Sequence, residues 1–166
     1  MINRRHAIRL ALAALPAAWL PQAARAQQSF QRFIPFLIDL SGWKGNKPDG
    51  MAMEVAGGNM ITATRAYERG DARLNAAILT GMAAKAALAA GGAGIKIETA
   101  DMHLSTATID GLSVTKTYNV SSKSGAVMVG LGPSAAFTLT FTKVTEDEGL
   151  ELARKFDWKA MQAQVK

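Results

Sequence analysis

The sequence predicts an α+β domain: an antiparallel β-sheet meander with helices packed mainly on one face. Three observations carry that prediction. Alternating apolar and polar residues recur in strand-length segments between residues 51 and 144, separated by turns rich in glycine, proline and aspartate. One segment, Gly81 to Ala90, is instead alanine-rich (GMAAKAALAA), a strong helix former. The last of these strands runs into Thr145-Glu146-Asp147-Glu148, a capping box that opens a helical stripe. Strands in series with helices before, between and after them are the pattern of this class.

Residues 1–26 read as an export signal. Arg4, Arg5 and Arg9, with no acid among them, form a positive n-region, and Leu10 to Leu20 form a short apolar core containing Pro16. Ala24-Arg25-Ala26 supplies a small-x-small cleavage site, so cleavage is expected between Ala26 and Gln27. The mature protein, residues 27–166, is then a single periplasmic domain. Asn3-Arg4-Arg5-His6-Ala7-Ile8-Arg9 resembles the twin-arginine export motif, with Ala7 where a large apolar residue is usual. An ordinary Sec signal carrying an arginine pair is the alternative. The apolar run is shorter than the ~20 residues of a spanning helix, and a chain without cysteine has no thiol to lipidate. No stable membrane anchor is expected.

The signal also distorts the charge. The whole chain is +6, but four arginines leave with residues 1–26, and the remainder holds 15 Lys+Arg against 13 Asp+Glu. A net of +2 is no nucleic-acid footprint, and nucleic acid is not an expected partner. The absence of cysteine leaves the fold to its apolar core and excludes thiol catalysis, cysteine-bound zinc and iron–sulfur clusters.

Along the mature chain, Phe30, Phe33, Ile34, Leu37 and Ile38 recur at helical spacing, interrupted by Pro35. Residues 41–50 read as a loop of turn formers around Trp43. Met51 to Val55 is a short strand, and Met60 to Tyr67 and Ala72 to Thr80 form a hairpin turning at Glu68-Arg69-Gly70-Asp71. After the alanine-rich helix, Gly91-Gly92-Ala93-Gly94 is a helix stop. Ile95 and Ile97 begin the next strands. His103 to Ile109 pairs with Leu112 to Val120 across Asp110-Gly111, a dipeptide suited to a type I′ turn. Ala126 to Leu131 and Ala135 to Val144 complete four antiparallel strands with one buried face. In the last, Phe137, Leu139 and Phe141 alternate with threonines. Leu150, Ala153 and Phe156 mark the buried stripe of the closing helix, and Asp157 caps a final turn carrying Trp158 and Met161.

Residues able to carry chemistry are few. His103 is the single histidine of the mature chain, so a Ser-His-Asp arrangement would need it with Asp101 or Asp110. No G-x-S-x-G elbow exists to present a serine, and a polar edge residue is the simpler reading. No catalytic residue and no cofactor are assigned. Methionine is frequent, and thioethers suit Cu(I); Met51 and Met53, with Met102 and His103, form the candidate metal set, and Met60 is the alternative companion of the first two. Filling irregular gaps in the core is the competing use of methionine. Gly91-Gly92-Ala93-Gly94 and Gly130-Leu131-Gly132 lack the strand and the Gly-Lys-Ser/Thr of a phosphate loop. Trp43 is either a plug folded over the core or a binding anchor. Arg65 and Tyr67 join it as candidate partner-binding residues, with Arg69 and Arg73 on the same hairpin.

Gly42-Trp43, Lys47-Pro48-Asp49-Gly50, Arg65-Ala66-Tyr67 with Gly70, Asp110-Gly111 before an alternating strand, and a final helix running into Phe156-Asp157-Trp158 together resemble a group of small exported bacterial proteins of unassigned function. The layout is similar to the PsbP/Mog1-like fold, an antiparallel sheet flanked by helices. That resemblance implies a binding or assembly module rather than an enzyme, and it carries over no catalytic residues. The expected function is a non-enzymatic periplasmic binding or assembly-assisting domain, its partner a protein or small ligand. Its contact surface would be the open sheet face or the Trp43 loop. The alternative is a copper-handling protein using methionines and His103.

Overall fold

The computed structural model describes residues 30–55, 58–90 and 94–165. The expected export signal and its cleavage site at Ala26–Gln27 lie outside the described residues, as do the first three residues of the Gly91–Gly94 helix stop. Among the described residues nine strands form one sheet: β1 (Lys44–Gly45), β2 (Asp49–Val55), β3 (Gly58–Arg69), β4 (Ala72–Thr80), β5 (Lys96–Glu98), β6 (Met102–Ile109), β7 (Leu112–Asn119), β8 (Ser124–Gly132) and β9 (Ala135–Thr142). Their order is β1-β3-β4-β9-β8-β7-β6-β5, with β2 also pairing β3. The described pairings are all antiparallel. Three α-helices lying wholly within the described residues accompany the sheet: α1 (Met82–Ala90), α2 (Glu146–Arg154) and α3 (Trp158–Gln164). The α+β class with an antiparallel sheet is therefore present.

Strands β5 to β9 follow one another as a meander, and the β3–β4 hairpin closes onto it through the β4–β9 ladder. The β6–β7 turn has the anticipated geometry, with φ of 53° at Asp110 and 82° at Gly111. Register then decides which residues meet. Leu74, Ala76 and Ile78 stand opposite Phe141, Leu139 and Phe137, and Val127 and Val129 extend those rows into β8. Paired residues share a face because side chains alternate with period two, so these rows make one continuous apolar surface.

Two segments cover it. From the N-terminal side come Phe33, Leu37, Leu40 and Trp43; from the C-terminal side come Leu152, Ala153, Phe156, Trp158 and Met161. Phe156 sits at the join, its ring centroid 4.9 Å from Phe137 and 6.4 Å from Tyr67. Helix α2 starts as its sequence dictates: Thr145 Oγ1 accepts from the Glu148 amide at 3.3 Å, and three acids occupy the positive end of the dipole. Asp157 caps α3 by accepting from the Ala160 amide at 2.9 Å. Gly149 lets α2 settle onto Phe141, because a β-carbon there would overlap the ring.

Three local expectations change. Phe30 to Ile38 does not form a continuous helix; Pro35 sits in a 3₁₀ turn, Ile34–Phe36, from which the chain runs on as an irregular cover over the sheet. The segment 41–50 is not wholly loop, since it contains β1 and the start of β2. Helix α1 lies across the other face: Leu88 Cδ2 is 3.3 Å from where a Gly130 β-carbon would be, and Ala77, Ala84 and Ala136 are buried apart from the main core. Among the described residues no helix is long and apolar enough to cross a membrane.

Candidate functional site

His103 projects onto the core face at its polar end. Its partner is neither Asp101 nor Asp110 but Glu146, 43 residues later: Nδ1–H donates to Glu146 Oε2 at 2.8 Å, while Lys116 Nζ reaches Oε1 at 3.1 Å. Asp110 is in the turn at the far end of β6, roughly 24 Å away at ~3.4 Å per residue. The His103 bond holds the Glu146 carboxyl below the usual carboxylate range, with Lys116 acting in the same direction against partial burial. Among the described residues no serine hydroxyl is hydrogen-bonded to His103, which is not an edge residue but is flanked by Glu98 on β5 and Tyr118 on β7, so the cluster joins β6 and β7 to the start of α2 without assembling a nucleophile. Sequence spacing gave no signal for this pairing, which depends on two elements meeting in space.

The methionines of the candidate metal set divide between the two ends of the sheet. Met51 and Met53 lie on β2 and Met102 on β6, with β3, β4, β9, β8 and β7 between them. Six strand spacings of ~4.8 Å separate the two groups by roughly 29 Å. Met102 and His103, being consecutive in a strand, also point to opposite faces. The four do not converge. Among the described residues no group of three or more histidine and acidic side chains could hold a metal ion.

Trp43, Arg65 and Tyr67 do come together, as parts of the fold. Trp43 is buried, its ring covered at 4.2 Å by the Arg69 guanidinium, which in turn pairs with Glu148 at 2.6 Å. Arg65 clamps the N-terminal segment onto β3. Its guanidinium donates to the carbonyls of Leu37 (2.8 Å) and Asn46 (2.9 Å) and pairs with Asp39. The Tyr67 hydroxyl donates to the Ile38 carbonyl at 2.8 Å, and burial pushes its ionisation up to about 12. Trp43 is thus the plug, and all three side chains are committed to holding residues 37–46 in place.

Two surfaces remain. One is an open groove of about 690 Å³ between the β6–β7 turn and the α2–α3 junction, edged by Arg154, Lys155 and Lys159. The buried Trp158 Nε1 beside it has no hydrogen-bond partner among the described residues. The other is the sheet face opposite the core. Register lines up Leu104, Thr117, Ala126, Thr140, Asn75 and Ala66 in one row across six strands, and Met102, Asn119, Ser124, Thr142, Arg73 and Glu68 in the next. Thr117, Thr140, Thr142 and Met102 are exposed. The neighbouring row carries Thr106 and Thr115, whose hydroxyls lie 3.1 Å apart. Met51 and Met53 are exposed at the other end of the same face. Alternation in β9 could have located this surface from sequence, but its width depends on strand order.

Compared with family models, curated proteins and solved structures, the chain matches none.

Proposed function

We propose that this chain is an exported, non-enzymatic binding or assembly-assisting domain that takes a protein partner across the face of the sheet opposite its core. The observation that carries the reading is the uncovered rows running from Leu104 to Ala66 and from Met102 to Glu68. With the helices mainly on the core face and α1 covering one end of the other, these rows stay open. Six strands at ~4.8 Å spacing make them roughly 24 Å wide. Over half a strand length this is several hundred Å², the order of one partner's ~800 Å² share of a standard interface. Threonine, alanine and serine make the surface flat, and methionine adapts its shape to what it meets. The periplasmic location and the PsbP/Mog1-like kinship belong to the same proposal, supported by the export signal and the layout of sheet and helices.

The test is co-sedimentation of the mature protein in a periplasmic extract of its own cell. The native protein should migrate in a complex, and Thr117→Glu with Thr140→Glu should return it to its own size with melting temperature little changed. Lys155→Glu, across the molecule, should leave the complex intact. A complex that survives the double threonine substitution would refute the docking face.

A further inference from the structure

Four of the seven methionines beyond residue 26 gather at one corner of the open face. Met53 and Met60 are cross-strand partners in the β2–β3 ladder, so they share a face with Cα atoms ~4.5–5.5 Å apart. Met51, two residues before Met53, lies on that face about 6.8 Å along the strand. Met82 opens α1 directly after Gly81. At Gly81 φ is +75° and the backbone presses so closely on β3 that an added β-carbon would overlap the Asn59 carbonyl and lie 3.3 Å from Met60 Cα. Met51, Met53 and Met82 are exposed, and Met60 is half-buried.

Core filling does not account for them. A methionine that fills a gap is buried, as Met161 is at 0% exposure, whereas Met51 and Met82 are 53% and 51% exposed. On the same face Thr117, Thr140 and Thr142 suit an exposed strand while presenting little apolar surface to water, and the exposed Met102 stands apart at the far end of the sheet. The thioether brings a neutral, soft sulfur on a long flexible arm, able to close the spacings above. Among the described residues no histidine shares the corner, since His103 is at the other end of the sheet. Such a donor set selects a soft monovalent d¹⁰ ion over zinc or Cu(II), which favour imidazole and thiolate or carboxylate.

We propose that Met51, Met53 and Met60, with Met82 beside them, form an all-thioether site for Cu(I). The ion is taken up as Cu(I), with no electron transfer and no proton released, because a thioether has no proton to lose. Affinity is therefore flat with pH, unlike that of an imidazole site, which weakens as the ring protonates. The site joins β2, at the sheet edge, to β3 and the start of α1, so occupancy also ties that edge down.

Untagged mature protein is titrated anaerobically with Cu(I) against a chromophoric Cu(I) chelator, and with Ag(I) as the redox-inert probe. One ion per chain is expected, with the same affinity at about pH 5.5 and about pH 7.5. Replacing Met51, Met53 and Met60 together by leucine, which keeps the apolar surface and nearly the volume, should weaken both ions by about 100-fold or more. Met102→Leu should change nothing. A single Met53→Leu variant, with far-ultraviolet circular dichroism to confirm the fold, should show a smaller loss in the same direction. Absence of Cu(I) binding, binding unchanged in the triple variant, loss in Met102→Leu, or weakening on acidification would each overturn the site.

Discussion

Gly149→Ala sets two physical effects against each other, and the structure decides the sign. Gly149 lies inside α2, where alanine is worth about 1 kcal/mol more than glycine. Propensity alone therefore predicts stabilisation. The ring of Phe141 lies directly against this backbone: an added β-carbon would sit 3.1 Å from Cδ1 and overlap Cε1 and Cζ, where ordinary contact begins at 3.4 Å. The ring has little room to withdraw. On its far side a β-carbon at Gly125 would meet Cζ at 2.8 Å, so Phe141 is held between two glycines, and the residue is 3% exposed. Overpacking of this kind costs about 1–3 kcal/mol and sometimes more. The net expectation is a loss of about 1–2 kcal/mol, read as a lower urea midpoint at unchanged slope. Phe141→Leu gives up packing of its own but frees the space. In that background Gly149→Ala should be neutral or stabilising, a coupling of about 1 kcal/mol or more in a double-mutant cycle. A more stable Gly149→Ala single variant, or additive effects, would refute the sandwiched-ring geometry.

Phe137→Ala should cost about 3–5 kcal/mol, because the ring is fully buried against Ile78, Val129 and Phe156. Thr140→Ser, on the exposed face of the same strand, should stay within about 0.5 kcal/mol by the same urea assay. Trp43→Ala should lower stability by about 3–5 kcal/mol, since the ring belongs to the core and leaves a cavity; thermal unfolding measures it. The Glu146 carboxyl ionises below its ordinary range in the folded protein, so its contribution is complete above the unfolded carboxylate pKa of ~4.3 and is lost as pH falls through the lower folded value. Glu146→Gln should accordingly be less stable than the native protein near neutrality, with the gap closing in denaturation series carried into acid.

Much of the sheet was legible because strand alternation and turn chemistry are local. Asp110-Gly111 fixed one hairpin through positive φ, Phe137-Thr138-Leu139-Thr140-Phe141 announced its buried face, and Thr145 and Asp157 marked both C-terminal helix starts. The parts that escaped are those decided at a distance. Nothing in residues 44 and 45 marks a strand until β3 lies beside them with Arg65 holding the segment down. Helical spacing in Phe30 to Ile38 came from apolar residues that face the sheet, while Pro35 prevents a regular helix. The candidate site was less legible still. Met51-Ala52-Met53 stands out in the sequence with Met60 as one candidate companion, but strand register is what sets Met60 beside Met53, and Met82 is supplied by the close approach at Gly81. The apparent pair Met102-His103 is divided by the pleat. Arg65 and Tyr67 looked like binding residues because they sit in a charged hairpin; the carbonyls of Leu37, Ile38 and Asn46 give them structural work.

The central claim is that the open sheet face receives a protein partner, and site-specific photo-crosslinking reads it most directly. A photoreactive side chain at Thr140, in the middle of that face, should yield one discrete protein adduct in intact cells. The adduct should disappear when Thr117→Glu is added, and the same group at Lys155 should yield none. Equal adducts from Thr140 and Lys155, or an adduct from Thr140 indifferent to Thr117→Glu, would contradict the account.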